Sequence, residues 1–248
     1  MKPAAIAVGL GIVVAAGSQW AAARAKPAPI VLGRFATMLV GRTPGQKHNA
    51  KLAANKLDGY LIKPGQTFSF NQVVGSWSRD QGFVKAPVSF SGQLIPAYGG
   101  GVCQTSTTLY NAALIAGLEI VERKRHEFAP TYVTPGRDAA VAYQSVDLRL
   151  KNPYAQSVVI RASEANGVLS AEIVGNAADR PNVEISTEFL GSAPPKTINI
   201  GPVQHSNRIR NSGKAGFEVV VWRHNHLGRE FISHDVYPPM HRLIEGGD

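Results

Sequence analysis

"GGGVCQTSTTLYNAALIAGL", residues 99–118, sets the chain's one cysteine between three consecutive glycines and a helical pattern. Leu109, Ala112, Ala113 and Ala116 recur at i, i+3, i+4 and i+7, which predicts a helix with one face in the core. Thr105 or Ser106 can cap its start, and Gly117 stands where a left-handed residue closes a helix. Cys103 is therefore expected at a helix N-terminus. Unpaired amides and the positive end of the helix dipole favour thiolate over thiol there, and the amides of Cys103 and Gln104 can cradle an oxyanion. Gly99, Gly100 and Gly101 remove side chains from the approach to the sulfur and permit positive φ, so a substrate backbone can come close. The same residues also read as a small buried hydrophobe above a tight glycine turn.

A thiolate nucleophile needs a base and a group that orients the base. Beyond Gly117, Leu118, Ile120 and Glu122 alternate with Glu119 and Val121 as a short strand, and His126 stands past its end. A helix followed by a returning strand brings its two ends to one edge, which carries His126 back towards Cys103. The alternative is a solvated loop residue beside Lys124 and Arg125. Two acids are available. Asp147 alternates with Val146 and Leu148 and reads as water-facing on a strand. Asp138, in "TPGRDAAV" (134–141), is either an Asx-turn residue or the carboxylate that orients His126, and it is preferred.

Upstream, "GQKHNAKLAANKLDGYLIKPGQ" (45–66) predicts a helix over 46–58, ended by Gly59 and followed by a Pro64-Gly65 turn. Residues 66–98 are aromatic and turn-rich and suit loops and short strands. Downstream, Asn166-Gly167 between alternating apolar runs signals a hairpin. A turn-rich linker is expected over 191–202, then a second hairpin from Phe217 to Arg223 and Glu230 to Val236. His224, His226 and His234 gather near it without a recognised ligand spacing, so no metal or cofactor is expected. Helix and strand segments without a βαβ rhythm make the chain α+β. The predicted organisation is a main domain over 45–176, with a buried helix after the cysteine loop and antiparallel strands, and a β-rich extension over 177–248.

Composition bounds the partners. The 248 residues are 44% hydrophobic, enough for a substantial core, and carry a net charge of +9. Anionic cell-wall polymers, acidic lipid and nucleic acid all suit that charge, but no basic run interleaved with aromatics occurs and one cysteine allows no zinc finger. Nucleic-acid binding is therefore not expected. Lys2, the apolar run Ala4–Gly17 and "AAARA" (21–25) read as a secretion signal cleaved after Ala23 or Ala25. Left uncleaved, it is a marginal membrane anchor. In an exported chain a lone cysteine is no internal staple; it is free, paired between molecules, or reactive.

The runs "NAKLAANKLDGYLIKPGQTFSFNQVVG", "GFVKAPV", "GGGVCQTSTTLYNAALIAGLEIVER", "YVTPGRDAAV" and "DLRLKNP" resemble the VanW family of exported bacterial proteins, named from a vancomycin-resistance gene cluster, from about Asn49 to Pro153. The resemblance implies a cell-envelope protein connected with peptidoglycan, with Cys103 as nucleophile and His126 as its partner. Where the family commonly reads H-P-H-S, this chain reads Lys124, Arg125, His126, Glu127, so only the second histidine is kept. The expected reaction is L,D-transpeptidase-like acyl transfer on peptidoglycan stem peptides, with Arg137 holding a substrate carboxylate and Gln104 and Thr105 at the binding groove. A non-catalytic accessory that binds peptidoglycan or glycopeptide in the same groove is the alternative.

Overall fold

The computed structural model describes residues 28–90, 93–179, 181–200 and 207–246; the expected signal over 1–25 lies outside them. The first half runs β1 (Ile30–Met38), α1 (Pro44–Leu57), β2 (Leu61–Ile62), β3 (Thr67–Ser69), α2 (Phe70–Val74), β4 (Lys85–Phe90), β5 (Gln93–Tyr98) and α3 (Val102–Ile115). It continues with β6 (Glu119–Glu122), β7 (Arg149–Lys151), β8 (Val158–Ala165) and β9 (Val168–Gly175). The extension holds β10 (Glu184–Ala193), β11 (Thr197–Ile200), β12 (Asn207–Asn211), β13 (Gly216–Asn225), β14 (Gly228–Tyr237) and β15 (Arg242–Gly246). The fold is α+β. Among the described residues no helix is long and apolar enough to cross a membrane.

The core is a four-stranded antiparallel sheet in the order β1-β9-β8-β2, with α1 and α3 packed against it. Its β8–β9 hairpin turns at Asn166 and Gly167, both at positive φ (53° and 77°), as a two-residue primed turn requires. The order β3-β7-β6 forms a second small sheet, and β4 and β5 pair alone. β1 precedes the boundary expected at residue 45, yet it pairs with β9 along nearly its whole length and belongs to the core sheet. α1 starts at Pro44 behind a Thr43–Gln46 capping box, two residues before the expected start.

Of the expected linker over 191–202, the described residues 191–200 are not plain connection. β10 runs through Ala193 to pair with β13, and β11 pairs in parallel with β15. Partners that lie tens of residues away leave no local trace, and Pro194-Pro195 dominates the local pattern. The hairpin β13–β14 forms as expected, with β13 central and β14 at the edge in the order β10-β13-β14.

α3 is buried on nearly every side. Leu109, Ala112, Ala113 and Leu114 are fully enclosed in the core. Its N-cap is Gly101, at φ 107°, and not Thr105 or Ser106. Those hydroxyls lie inside the helix and have other work: Thr105 Oγ1 donates to Ala50 O at 3.1 Å and Ser106 Oγ to Ala139 O at 2.7 Å. The helix closes with a Schellman pair, in which the Leu118 amide donates to Ala113 O (3.0 Å) and Gly117, at φ 74°, donates to Leu114 O (3.1 Å).

The polar side of α3 grips the loop over 136–139. Thr107 Oγ1 accepts the Ala139 amide at 3.0 Å. Asn111 Nδ2 donates to Arg137 O at 2.7 Å while its Oδ1 accepts Arg137 Nε at 2.6 Å. Asn111 is wholly buried, so Asn111→Ala strands a buried carbonyl and a guanidinium N–H and is expected to destabilise the fold by about 2 kcal/mol. A lowered denaturant midpoint at unchanged m checks this.

Candidate active site

Asp138 is the anchor of the site. Its carboxylate has no exposure, and ionising a carboxyl there requires opposite charge and hydrogen bonds on both oxygens. Oδ2 accepts the His126 amide at 2.7 Å and His126 Nδ1–H at 2.6 Å. Oδ1 accepts the Tyr237 hydroxyl at 2.5 Å and Arg123 Nη2 at 3.1 Å. Burial alone raises the Asp138 pKa, but the bond and charge of His126, the Arg123 guanidinium and the Tyr237 hydroxyl reverse this and hold it at about 2.

Arg123 is in turn fixed by Asp235 of β14, whose two oxygens take Nη1 at 2.7 and 2.6 Å. Its Nε donates to Asp138 O at 2.6 Å and Nη2 to Gly136 O at 3.2 Å. One guanidinium thus ties the strand exit before His126 to the acid's own loop and to the C-terminal sheet.

With Nδ1 committed to Asp138, Nε2 is the ring nitrogen left for the cysteine. His126 and Cys103 lie close enough for each to stabilise the other's charged form. Burial disfavours the imidazolium, yet the bonds to Asp138 and Cys103 and their charges raise the His126 pKa to about 10. Burial likewise pushes the Cys103 thiol up, and the hydrogen bond and charge of His126, helped by the Val141 main chain, bring it below its usual value. In the thiol form Sγ donates to Val141 O at 3.3 Å. Cys103 is half-buried and unpaired. The arrangement can hold a thiolate beside an imidazolium oriented by a carboxylate, which is the equipment of nucleophilic attack with acid–base assistance.

Cys103, His126 and Asp138 come together; the other predicted site residues face inward. The space left by the three glycines is filled by the chain itself. A Cβ on Gly99 would lie 2.7 Å from the Trp77 ring and one on Gly100 2.7 Å from Pro87 O, while one on Gly101 would strike Gln46 O. Asn49 and Gln46 of α1 hold the loop by donating to Gly100 O (2.9 Å) and Pro87 O (2.8 Å). The Gln104 amide donates to Gly101 O at 3.1 Å, which leaves the Cys103 amide as the donor not engaged by a main-chain carbonyl among the described residues. The Gln104 side chain and Thr105 are buried in contacts to Thr37, Met38 and Ala50. Arg137 is bound to Asn111, eight residues along α3 from Cys103, about 12 Å of helix rise away. Asp147 is not simply water-facing: it accepts Ser69 Oγ at 2.5 Å and the Asn71 amide at 2.9 Å and fixes the start of α2.

Other contributors, Arg123 among them, escape a reading by local pattern. Tyr237 and Asp235 arrive from the C-terminal sheet. Arg42 donates through Nε to Gln104 Oε1 at 2.9 Å and stacks 5.0 Å from the Tyr132 ring centroid, whose hydroxyl donates to Cys103 O at 3.4 Å. Lys214 lies close enough to Arg42 for their like charges to interact. Behind Arg123 a cavity of about 740 Å³ opens between β6 and β14, lined by Tyr110, Lys124, Arg125 and Ile232 among others and not by Cys103 or His126. His224 and His234 bond Ser186 (2.7 Å) and Glu218 (2.9 Å), and no group of three metal-ligating side chains occurs among the described residues.

The sequence model of the family described as "VanW like protein" matches residues 45–174. Over 136 residues the chain is 43% identical to the uncharacterized protein YoaR of Bacillus subtilis, a span of 55% of this chain and 45% of that protein. Over 109 residues it is 37% identical to the vancomycin B-type resistance protein VanW of Enterococcus faecalis, covering 42% of this chain and 40% of the relative. The chain thus spans less than half the length of either relative. Cys103, His126 and Asp138 lie within the matched segment, while Asp235 and Tyr237 lie beyond it. With more than half of its sequence matched, and the glycine–cysteine loop, α3 and the returning strand all inside the match, the chain belongs to the VanW family.

Proposed function

We propose that this chain is an exported, cysteine-dependent acyltransferase that remodels peptidoglycan stem peptides in an L,D-transpeptidase-like reaction. The observation that supports it is the row in which Asp138 holds His126 Nδ1 at 2.6 Å and His126 stands beside a half-buried cysteine whose pKa it lowers. The signal-like residues 1–25 and the charge of +9 suit work against the anionic polymers of a cell wall.

The Cys103 thiolate attacks the carbonyl carbon at the L-centre of a tetrapeptide stem, forming a C–S bond and an oxyanion that the Cys103 amide faces. Collapse breaks the C–N bond to the terminal D-alanine, and the His126 imidazolium donates its proton to the departing amine. The thioester remains. An acceptor amine then attacks it, its proton passes to the neutral His126, and the C–S bond breaks to restore the ion pair. Arg42, steadied by Gln104 and Tyr132 at the start of α3, takes the part first given to Arg137 and holds a substrate carboxylate.

Incubation of the full chain with defined tetrapeptide muropeptides, followed by mass analysis, is expected to show loss of D-alanine and 3–3 dimers. Cys103→Ser is expected to abolish both while stem-peptide binding persists. Binding without product in the wild type, and unchanged behaviour of the serine variant, would replace this reading by the accessory-binding one. N-terminal sequencing of the exported chain is expected to begin at Arg24 or Lys26.

The relay also fixes a pH dependence. The folded His126 pKa, about 10, lies above 6.5, so its contribution to stability is complete below about pH 6.5 and is lost as pH rises through 10. Asp138 runs the other way: its folded value of about 2 lies below 3.8, so its contribution is present above 3.8 and lost as pH falls towards 2. Denaturant midpoints are expected to peak between these limits and fall on both sides. His126→Ala leaves burial of Cys103 uncompensated, so its pKa is expected to rise and its alkylation near neutral pH to slow by at least about tenfold.

A further inference from the structure

The C-terminal sheet ends at the acid of the relay. Tyr237, the last residue of β14, is 1% exposed and lies 99 residues from Asp138 in sequence. Its hydroxyl donates to Asp138 Oδ1 at 2.5 Å, accepts the Gly136 amide at 2.9 Å and stands 3.4 Å from Arg123 Nη2. All three partners belong to the loop that carries Asp138 or to the arginine that grips it. The ring is held independently, beneath the Arg125 guanidinium at 5.2 Å and against the small cluster of Ala129, Val219 and Phe217. Packing alone would be as well met by phenylalanine. The hydroxyl is what the site uses.

Two residues earlier Asp235, itself steadied by Ser233 Oγ at 2.9 Å, holds both oxygens to Arg123 Nη1. The same strand therefore fixes Asp138 twice, directly through Tyr237 and indirectly through Arg123. His126 takes only Oδ2; the orientation of that oxygen depends on what pins Oδ1.

We infer that Tyr237 is a positioning residue for the Cys103–His126–Asp138 relay, and that the C-terminal sheet is a part of the active site and not an appendage to it. The inference rests on the cysteine-nucleophile reading above. Tyr237 touches neither the sulfur nor a substrate; it acts by fixing the carboxylate plane, which fixes the His126 ring, which stabilises the thiolate. Without the hydroxyl Oδ1 keeps only Arg123 Nη2 at 3.1 Å, the carboxylate plane is held less firmly, the His126 ring is aligned less well, and the burial that favours the thiol is no longer fully opposed.

The test is the pH profile of Cys103 alkylation by iodoacetamide in the full chain, from about pH 5 to about pH 10, for wild type, Tyr237→Phe, His126→Ala and the double variant. In the wild type the profile is expected to lie below that of an ordinary thiol. Tyr237→Phe should move it up by about one unit, about a tenfold slower reaction near pH 6, while circular dichroism stays native. In the His126→Ala background the same change should have no further effect, because the path from Tyr237 to the sulfur runs through the ring. Superimposed wild-type and Tyr237→Phe profiles overturn the inference and leave the nucleophile reading standing. So does an equal displacement with and without His126, which marks a structural role only. A wild-type thiol that titrates as an ordinary one overturns both. If Tyr237→Phe does not fold, Asp235→Asn serves in its place: a smaller shift in the same direction supports the inference, and an unshifted profile in the folded variant overturns it.

Discussion

A carboxylate with no exposure to water must be matched or neutralised, and the site is built around matching Asp138. Desolvation of such an ion costs several kcal/mol, so each of its four contacts has a reason to exist independent of any reaction. Two separate parts of the chain supply them: the segment after β6, with Arg123 and His126, and the end of β14, with Tyr237. Once Asp138 is fixed and charged, the His126 ring is oriented with Nδ1 on the carboxylate and its other nitrogen left for Cys103.

The loop that presents Asp138 has no regular structure of its own and is shaped by α3. This explains a helix face that composition makes odd, in which Ser106, Thr107, Thr108 and Asn111 are all buried. Hydroxyls inside a helix compete with its backbone and weaken it slightly. Ser106, Thr107 and Asn111 also take the main chain at Arg137 and Ala139, so three backbone groups that would otherwise be buried without partners are satisfied, while Thr108 bonds back to Gln104 O. The polar run is therefore the mould for the acid's loop, and the glycines before it serve a related end. Their missing side chains let α1 and β4 close on the start of α3, which sets where Cys103 stands.

What the sequence disclosed follows the range of the interactions. α3 with its C-terminal closure, the Asn166-Gly167 hairpin and the β13–β14 hairpin all rest on contacts within a few residues and show in local pattern. His126 was legible because a helix and its returning strand form one local unit. Asp138 could be proposed but not distinguished from a turn residue, since its partners Arg123 and Tyr237 give no sign of converging on it. β1 and β10 pair across long separations, and their strand character shows only once the partner strand is in place. The glycines misled for a related reason: absence of side chains reads equally as an opening for substrate or as room for the protein's own backbone, and only three-dimensional neighbours decide between them.

From the C-terminal sheet to the sulfur the charges alternate: Asp235 negative, Arg123 positive, Asp138 negative, His126 positive, and Cys103 negative in the thiolate form that His126 favours. Each interior member is flanked by opposite charge, so each is stabilised from both sides in surroundings that screen little. Removing any one of the middle three brings two like charges into adjacency or leaves a buried ion without a partner, and that penalty exceeds the worth of the single lost contact. With Cys103 as thiolate the row of five carries one net negative charge, and it ends at the N-terminus of α3, where the helix dipole opposes it. On the proposed reading the activation of the cysteine is a property of the whole row. Its far end, Asp235, lies on a strand more than a hundred residues from the thiol, so on that reading the sulfur's state depends on how firmly the C-terminal sheet holds Arg123.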